Sequence, residues 1–366
     1  MQKTSRLPFI DAMKGIGCIA IVLHHLAIYG PMSQVVELSA PWLVEGLILY
    51  ARLAVQMFFV LAGFLIASQI APAGQPLETP SAPLIWKRYK RLVTPFVFAV
   101  ASATLITAIV RPWFTHDSLS GAPSVSQLLA HALLVHSVLD FEALSAGVWF
   151  VAIDFQLFAA TVLLTVLMRR TSTKRRLAYP MLIVLLAALS LWVLNRFEQY
   201  ENYAPYFFGA YGLGMIAYWS SRPARGVLGL VMITTLGVIA LLLEFRNPIT
   251  VAFATAVLVS IASQKSWLEK WPKPGVLTWL GQRSYSIFLI HYGICIAFNA
   301  LWSRFFPTGV AINALGMLAA VLTSVWAGSL LYRYVESQQG VIGRNKKTTL
   351  LIVAIIAALS IESVSW

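Results

Sequence analysis

The stretch Arg6 to Leu26, "RLPFIDAMKGIGCIAIVLHHL", sets an acid, a base and two imidazoles around a core, Gly15 to Leu23, apolar enough to enter a bilayer. On a helix, Asp11 and Lys14 are three residues apart and share a face. Lys14 to His25 is eleven residues, close to three turns, so His25 lies on that face and His24 points about 100° away. At ~1.5 Å per residue, Lys14 and His25 stand about 16 Å apart along the axis. That puts Lys14 near the cytoplasmic boundary and His25 near mid-membrane. They cannot touch, but one elongated ligand can touch both. Lys14 also reads as a cation reaching for lipid headgroups, and His25 as a hydrogen-bonder between helices. Ionisable groups within the bilayer are costly, however, and mark function. An imidazole held neutral by apolar surroundings is a competent general base.

The second group is "WKRYKRLVTPF", in which Arg88 and Arg91 are spaced i, i+3 before an apolar run. Both guanidiniums would share one face at the cytoplasmic surface, where Arg suits bidentate phosphate binding. Plain cytoplasmic charge accounts for Lys87 and Lys90, and on its own for all four. Further polar residues lie in "VWFVAIDFQLF", with Asp154 and Gln156, and in "SYSIFLIHYGI", with Tyr285 opening the run nearby and His291 inside it. Asp154 is expensive in a membrane unless paired or protonated. Depth alone permits a pair with Arg52, and a structural pair and a substrate-binding carboxylate are both open. His291 reads as a second catalytic group, a structural hydrogen-bonder, or neither.

The elements that must position these residues are transmembrane helices. The 366 residues are 59% hydrophobic and only 11% charged, with a mean hydropathy of +0.76. A water-soluble surface cannot be solvated by so little charge. The fold class expected is all-α, a polytopic transmembrane bundle of about ten or eleven spans. The apolar runs lie near 9–30, 48–70, 92–110, 148–168, 177–194, 204–219, 227–243, 248–263, 284–302, 310–332 and 349–365. The weaker run 124–139, with His131 and His136, reads as an interfacial helix or a partial insertion. With the N-terminus inside, the alternate loops on that side hold 21 of the 27 Lys and Arg, against Arg111, Arg196, Arg246 and Arg304 on the other. The net charge of +13 therefore reports topology, with the N-terminus cytoplasmic, and no nucleic-acid partner. Cys18 and Cys295 stand alone in apolar runs, so neither a disulfide framework nor a metal site is expected.

These residues, in this order, resemble the acyltransferase family 3 integral-membrane acyltransferases. Lys14 to His25 is similar to that family's Arg/Lys, ten residues, His signature. "FFVLAGFLI", Phe58 to Ile66, resembles its second-span motif, with Ala62 where Ser is more usual. Arg88 to Arg91 resembles its Arg-x-x-Arg element, and "WFVAIDFQ" its Trp-Phe-Leu-x-x-Glu-x-Gln motif with Asp154 for Glu. "LGQRSYSIFLIH", Leu280 to His291, resembles its late Gly-x-x-Ser-Tyr-x-x-Tyr-Leu-x-His motif, with Phe288 at the second aromatic position. "VESQQ" lacks the Pro often found after the residue equivalent to Glu336.

The resemblance implies one membrane domain over 1–366, with a family-like core at about 6–336 and an extra span at 349–365. It implies an O-acyltransferase that takes acyl-CoA, most often acetyl-CoA, as co-substrate, with no bound cofactor. The acceptor would be a hydroxyl of a cell-surface or lipid-linked carbohydrate. Lys14, Arg88 and Arg91 would bind the CoA phosphates. His25 would be the base, and Asp11, counted with it in the catalytic set, would pair with Lys14 or an arginine and steady the mouth. Asp154, Gln156, Tyr285 and His291 are acceptor-binding or structural candidates. The setting implied is a bacterial-type inner (plasma) membrane, with lipid, acyl-CoA and carbohydrate as partners and no required protein partner. A transporter of a small polar solute is the alternative reading, since it would also place ionisable residues at the midplane. A haem protein using the histidines as axial ligands ranks third.

Overall fold

The computed structural model describes residues 6–78, 80–169, 178–222 and 226–338. The expected span at 349–365 and the basic clusters at 170–176 and 344–347 lie outside them. The described residues form helices and no strand: α1 Pro8–Ile28, α2 Pro31–Glu37, α3 Pro41–Tyr50, α4 Ala54–Ile70, α5 Ser81–Val110, α6 Val125–Ala132, α7 Val148–Arg169, α8 Ala178–Trp192, α9 Ala204–Trp219, α10 Gly226–Leu243, α11 Asn247–Gln264, α12 Trp267–Lys270, α13 Val276–Phe305 and α14 Val310–Leu331. Proline opens several of them, at Pro31, Pro41, Pro205 and Pro248, where its missing N–H would have had no partner in any case.

Among the described residues, nine helical segments are long and apolar enough to cross a membrane. Expected spans reappear lengthened. The run at 48–70 becomes a continuous segment, Pro41–Ile70, and the run at 92–110 becomes Ser81–Val110. The second extension takes Arg88 and Arg91 into the body of α5. At 16 residues, α9 rises only about 24 Å, short of a ~30 Å hydrocarbon core. It is also the most enclosed helix, with Phe207 through Ala217 buried. The weak run at 124–139 is a short helix, α6, followed by turns.

The chain divides into two compact units. The first takes in described residues of 1–13, 53–89 and 153–278. At its heart α4 and α9 touch through reciprocal glycines. A Cβ on Gly63 would collide with the Tyr211 carbonyl, and one on Gly214 with the Val60 carbonyl. With no hydrophobic drive between helices in lipid, such close backbone contact supplies the packing energy. Ser190 of α8 joins this core, its Oγ accepting the Gly209 N–H at 2.8 Å and donating to the Pro205 carbonyl at 2.7 Å.

The second unit takes in described residues of 14–52, 90–152 and 279–338. Here Gly328 of α14 lies against the backbone of Ile287, leaving no room for a side chain between α14 and α13. Tyr285 of α13 donates through its OH to the Leu92 carbonyl of α5 at 2.8 Å. Asn299 accepts the Met32 N–H at 3.2 Å, tying α13 to α2. These contacts hold α13 against α14, α5 and α2.

Candidate active site

α1 is helical from Pro8 to Ile28, so the spacing read from the sequence holds: Lys14 and His25 share a face about 16 Å apart along the axis. The tertiary structure adds a partner. His291 of α13 lies 2.8 Å from His25, Nε2 to Nδ1, with both rings buried. His291 Nδ1 is 2.6 Å from the Phe288 carbonyl, which can only accept, so His291 carries its proton there. With both imidazoles neutral, His291 Nε2 is an acceptor and His25 Nδ1–H must donate to it. The network therefore assigns the tautomers in series. The carbonyl holds His291, His291 holds His25, and the His25 lone pair is left on Nε2.

The rings are steadied from the sides. Tyr29, one turn on, stacks on His25 with centroids 5.0 Å apart, and Tyr292 meets Tyr29 edge-on at 5.5 Å. Tyr292 donates to the Ser118 carbonyl at 2.6 Å. Gly147, at φ 77°, brings the start of α7 onto the Phe288 ring, where a Cβ would stand 2.5 Å from Cζ. His24 points elsewhere, its Nδ1 3.1 Å from the Leu47 carbonyl.

A charged cluster occupies the other end of the Lys14 face. The Glu336 carboxylate closes a π-helical turn, Tyr332–Glu336, that extends α14. It accepts the Ser286 hydroxyl at 2.7 Å, and the positive charges of Arg91 and Lys14 both act on it. Ser286 and Glu336 were not among the expected site residues. The signal for Glu336 was a lone carboxylate closing the apolar run of α14. Ser286 had no signal of its own.

In the first unit, Asp154 corrects the expectation. Its partner is Arg88, at 2.6 Å, not Arg52. The guanidinium also lies over the Phe158 ring at 5.2 Å. Asp154 is buried and Arg88 mostly so, and the extended α5 is what brings the two together. Arg88 thus serves a carboxylate of its own chain. Gln156 lies two residues after Asp154 on α7, and Asp11 stands in the first turn of α1, where a negative charge suits the helix dipole.

Residues 7–333 match the sequence family described as an acyltransferase domain, the acyltransferase 3 family. Similar curated proteins are those named O-acetyltransferase OatA from Staphylococcus aureus strains NCTC 8325 / PS 47, COL and MRSA252. Each is 23% identical over 370 residues, covering 92% of this chain and 58% of the relative. The chain thus spans 58% of the length of the curated relatives it matches. No solved structure matches it.

Proposed function

The chain belongs to the acyltransferase 3 family, and from that premise we propose that it is a membrane O-acetyltransferase moving an acetyl group from acetyl-CoA to a carbohydrate hydroxyl. The observation that carries the reading is the tautomer chain Phe288–His291–His25, which leaves a lone pair on His25 Nε2 inside the membrane segment. Lys14 and Arg91 sit at the mouth, where CoA phosphates need cations, and the pantetheine arm spans the roughly 16 Å to His25. His25 Nε2 takes the proton of the acceptor hydroxyl as its oxygen attacks the thioester carbonyl. The tetrahedral intermediate collapses, the C–S bond breaks, and the proton passes from His25 to the departing CoA sulfur. His291 holds the ring in place and stabilises the imidazolium that forms. Arg88 and Asp154 act as a closed pair holding α5 to α7, with Asp11 steadying Lys14 on α1. Tyr285, bonded to α5, fixes α13. No bound cofactor takes part. The setting is a bacterial-type inner membrane with the N-terminus cytoplasmic.

The test is transfer of labelled acetyl from acetyl-CoA by membranes carrying wild type or His25→Ala at equal expression, with host polysaccharide present. Incorporation by wild type alone is expected. Equal incorporation by both removes His25 as the base, and label remaining on CoA throughout removes the acetyl-CoA reading.

A further inference from the structure

A cation near the start of α13 has no part in the mechanism above. Arg283 fills an unspecified position of the Gly-x-x-Ser-Tyr motif, here "GQRSY", so the family resemblance gives it no role. Helix packing sets its place. Gly328 of α14 lies against Ile287 of α13, and the two helices, joined by a short connection, run antiparallel. The residues one turn away from that contact, Arg283 and Tyr332, therefore come level. The guanidinium carbon is 5.1 Å from the centroid of the Tyr332 ring and 4.2 Å from that of Trp279, one turn earlier on its own helix. Its Nη1–H donates to the Trp279 carbonyl at 3.1 Å.

Arg88, Arg196 and Arg246 are each paired with a carboxylate. Arg283 is not. Among the described residues its head meets two aromatic rings and one backbone carbonyl. Rings hold a guanidinium by its face and leave its edge to donate. With Nη1 tied to the carbonyl, Nε–H and the Nη2 hydrogens are the donors for an outside acceptor. Arg283 is half-buried and Trp279 is 40% exposed, so an acceptor in solution can reach that edge. A flat cation fixed in this way suits a phosphate, which takes two parallel hydrogen bonds from one edge.

The neighbouring residues point to which phosphate. Ser286, three residues on, shares the Arg283 face of α13 and bonds to Glu336. Tyr332 and Glu336 open and close one π-helical turn. Arg283 thus borders the Glu336 cluster, on which Lys14 and Arg91 act. Glu336 takes up part of the positive charge of those two. What remains is too little for every phosphate of CoA, which carries a diphosphate and, apart from it on the ribose, a phosphate monoester. A third cation set to one side of the first two matches that separate charge.

We propose that Arg283, held by Trp279 and Tyr332, binds the 3′-phosphate of the acyl-CoA donor and lets the enzyme tell CoA from donors that lack it. This role rests on the acyl-CoA reading above, and the experiment separates the two.

The full chain in nanodiscs is given acetyl-CoA or acetyl-3′-dephospho-CoA. In a second arm, equilibrium dialysis reads the binding of adenosine 3′,5′-bisphosphate against adenosine 5′-monophosphate. Arg283→Met keeps an unbranched apolar stem against the rings and removes the charge, and Arg283→Lys keeps the charge without the planar edge. In wild type the KM for acetyl-CoA should lie about tenfold below that for the dephospho donor, the worth of a hydrogen bond to a charged group. Arg283→Met should bring that ratio near one and Arg283→Lys should restore part of it. The bisphosphate should lose its advantage over the monophosphate in the same order. A wild type indifferent to the 3′-phosphate, or a preference that survives in Arg283→Met, overturns the role while acetyl transfer stands. A KM raised alike for both donors marks Arg283 as structural and overturns it too. So does an Arg283→Met defect confined to anionic nanodiscs and absent from zwitterionic ones, which assigns the guanidinium to a lipid phosphate. A wild type that uses neither donor, yet prefers the bisphosphate through Arg283, keeps the phosphate site and rejects the acetyl-CoA reading instead.

Discussion

Replacing His291 with leucine removes the acceptor for His25 Nδ1–H while leaving an apolar side chain of moderate bulk in its place. The bond lost is 2.8 Å long and joins two buried rings, so water does not replace it. A buried donor left unmet costs about 1–3 kcal/mol. Borne by the positioning of the base, at about 1.36 kcal/mol per tenfold, this lowers kcat about 5- to 150-fold. His25→Ala removes the base itself and costs about 10²- to 10⁴-fold. Glutamine at 291 carries an oxygen near the position of Nε2, so His291→Gln recovers part of the loss. The expected order is wild type, His291→Gln, His291→Leu, His25→Ala. The assay is steady-state acetyl transfer by purified protein in nanodiscs, varying acetyl-CoA. Since His291 is remote from the Lys14 mouth, KM for acetyl-CoA should stay constant while kcat falls. A His291→Leu enzyme within twofold of wild type refutes the tautomer chain. So does a loss that glutamine and leucine share equally.

Three further outcomes follow from the geometry. Asp154→Ala strands the Arg88 guanidinium and should lower stability by about 2 kcal/mol, less than the ~3–5 of a fully buried pair because Arg88 is partly exposed; thermal unfolding in detergent, with Arg88→Ala/Asp154→Ala recovering part of the loss, checks it. Gly214→Ala drives a methyl into the Val60 carbonyl and should cost about 1–3 kcal/mol or abolish folding; a melting temperature equal to wild type would contradict the α4–α9 contact. His136 is held near 3 against ~6.5 unfolded, so the folded segment binds fewer protons between those values. Stability of residues 133–146 should therefore fall as pH drops from about 6.5 toward 3, with His131 shifted in the same direction. Hydrogen exchange corrected for its intrinsic pH dependence reads this, and His136→Phe should flatten the profile.

Much of the architecture follows from local chemistry. Apolar runs of membrane length mark the spans, and the helical period alone puts Lys14 and His25 on one face, because both depend only on neighbours along one helix. The boundaries of α5 were less legible. The i, i+3 spacing in "KRYKR" implies a helix entering the span, but not that the helix starts as early as Ser81 and carries Arg88 to Asp154. The family motifs marked His25, Arg91, Tyr285 and His291 as a set, but left His291 with three possible roles. Glu336 was quoted only for the proline missing after it, and Ser286 passed unnoticed.

What the sequence determined by itself was most of the helix-by-helix plan, which residues of a helix share a face, and the membership of a family. Only the tertiary structure decided the partners: His25 with His291 across 266 positions, Arg88 with Asp154 in place of Arg52, Ser286 with Glu336, and His136 turned back beside His131 with no partner of its own. The physical reason is range. Helix formation and membrane partition are summed over adjacent residues, whereas a hydrogen bond between helices depends on which glycines let backbones approach and which turns redirect the chain, and neither is written in the periodicity of the helices it joins.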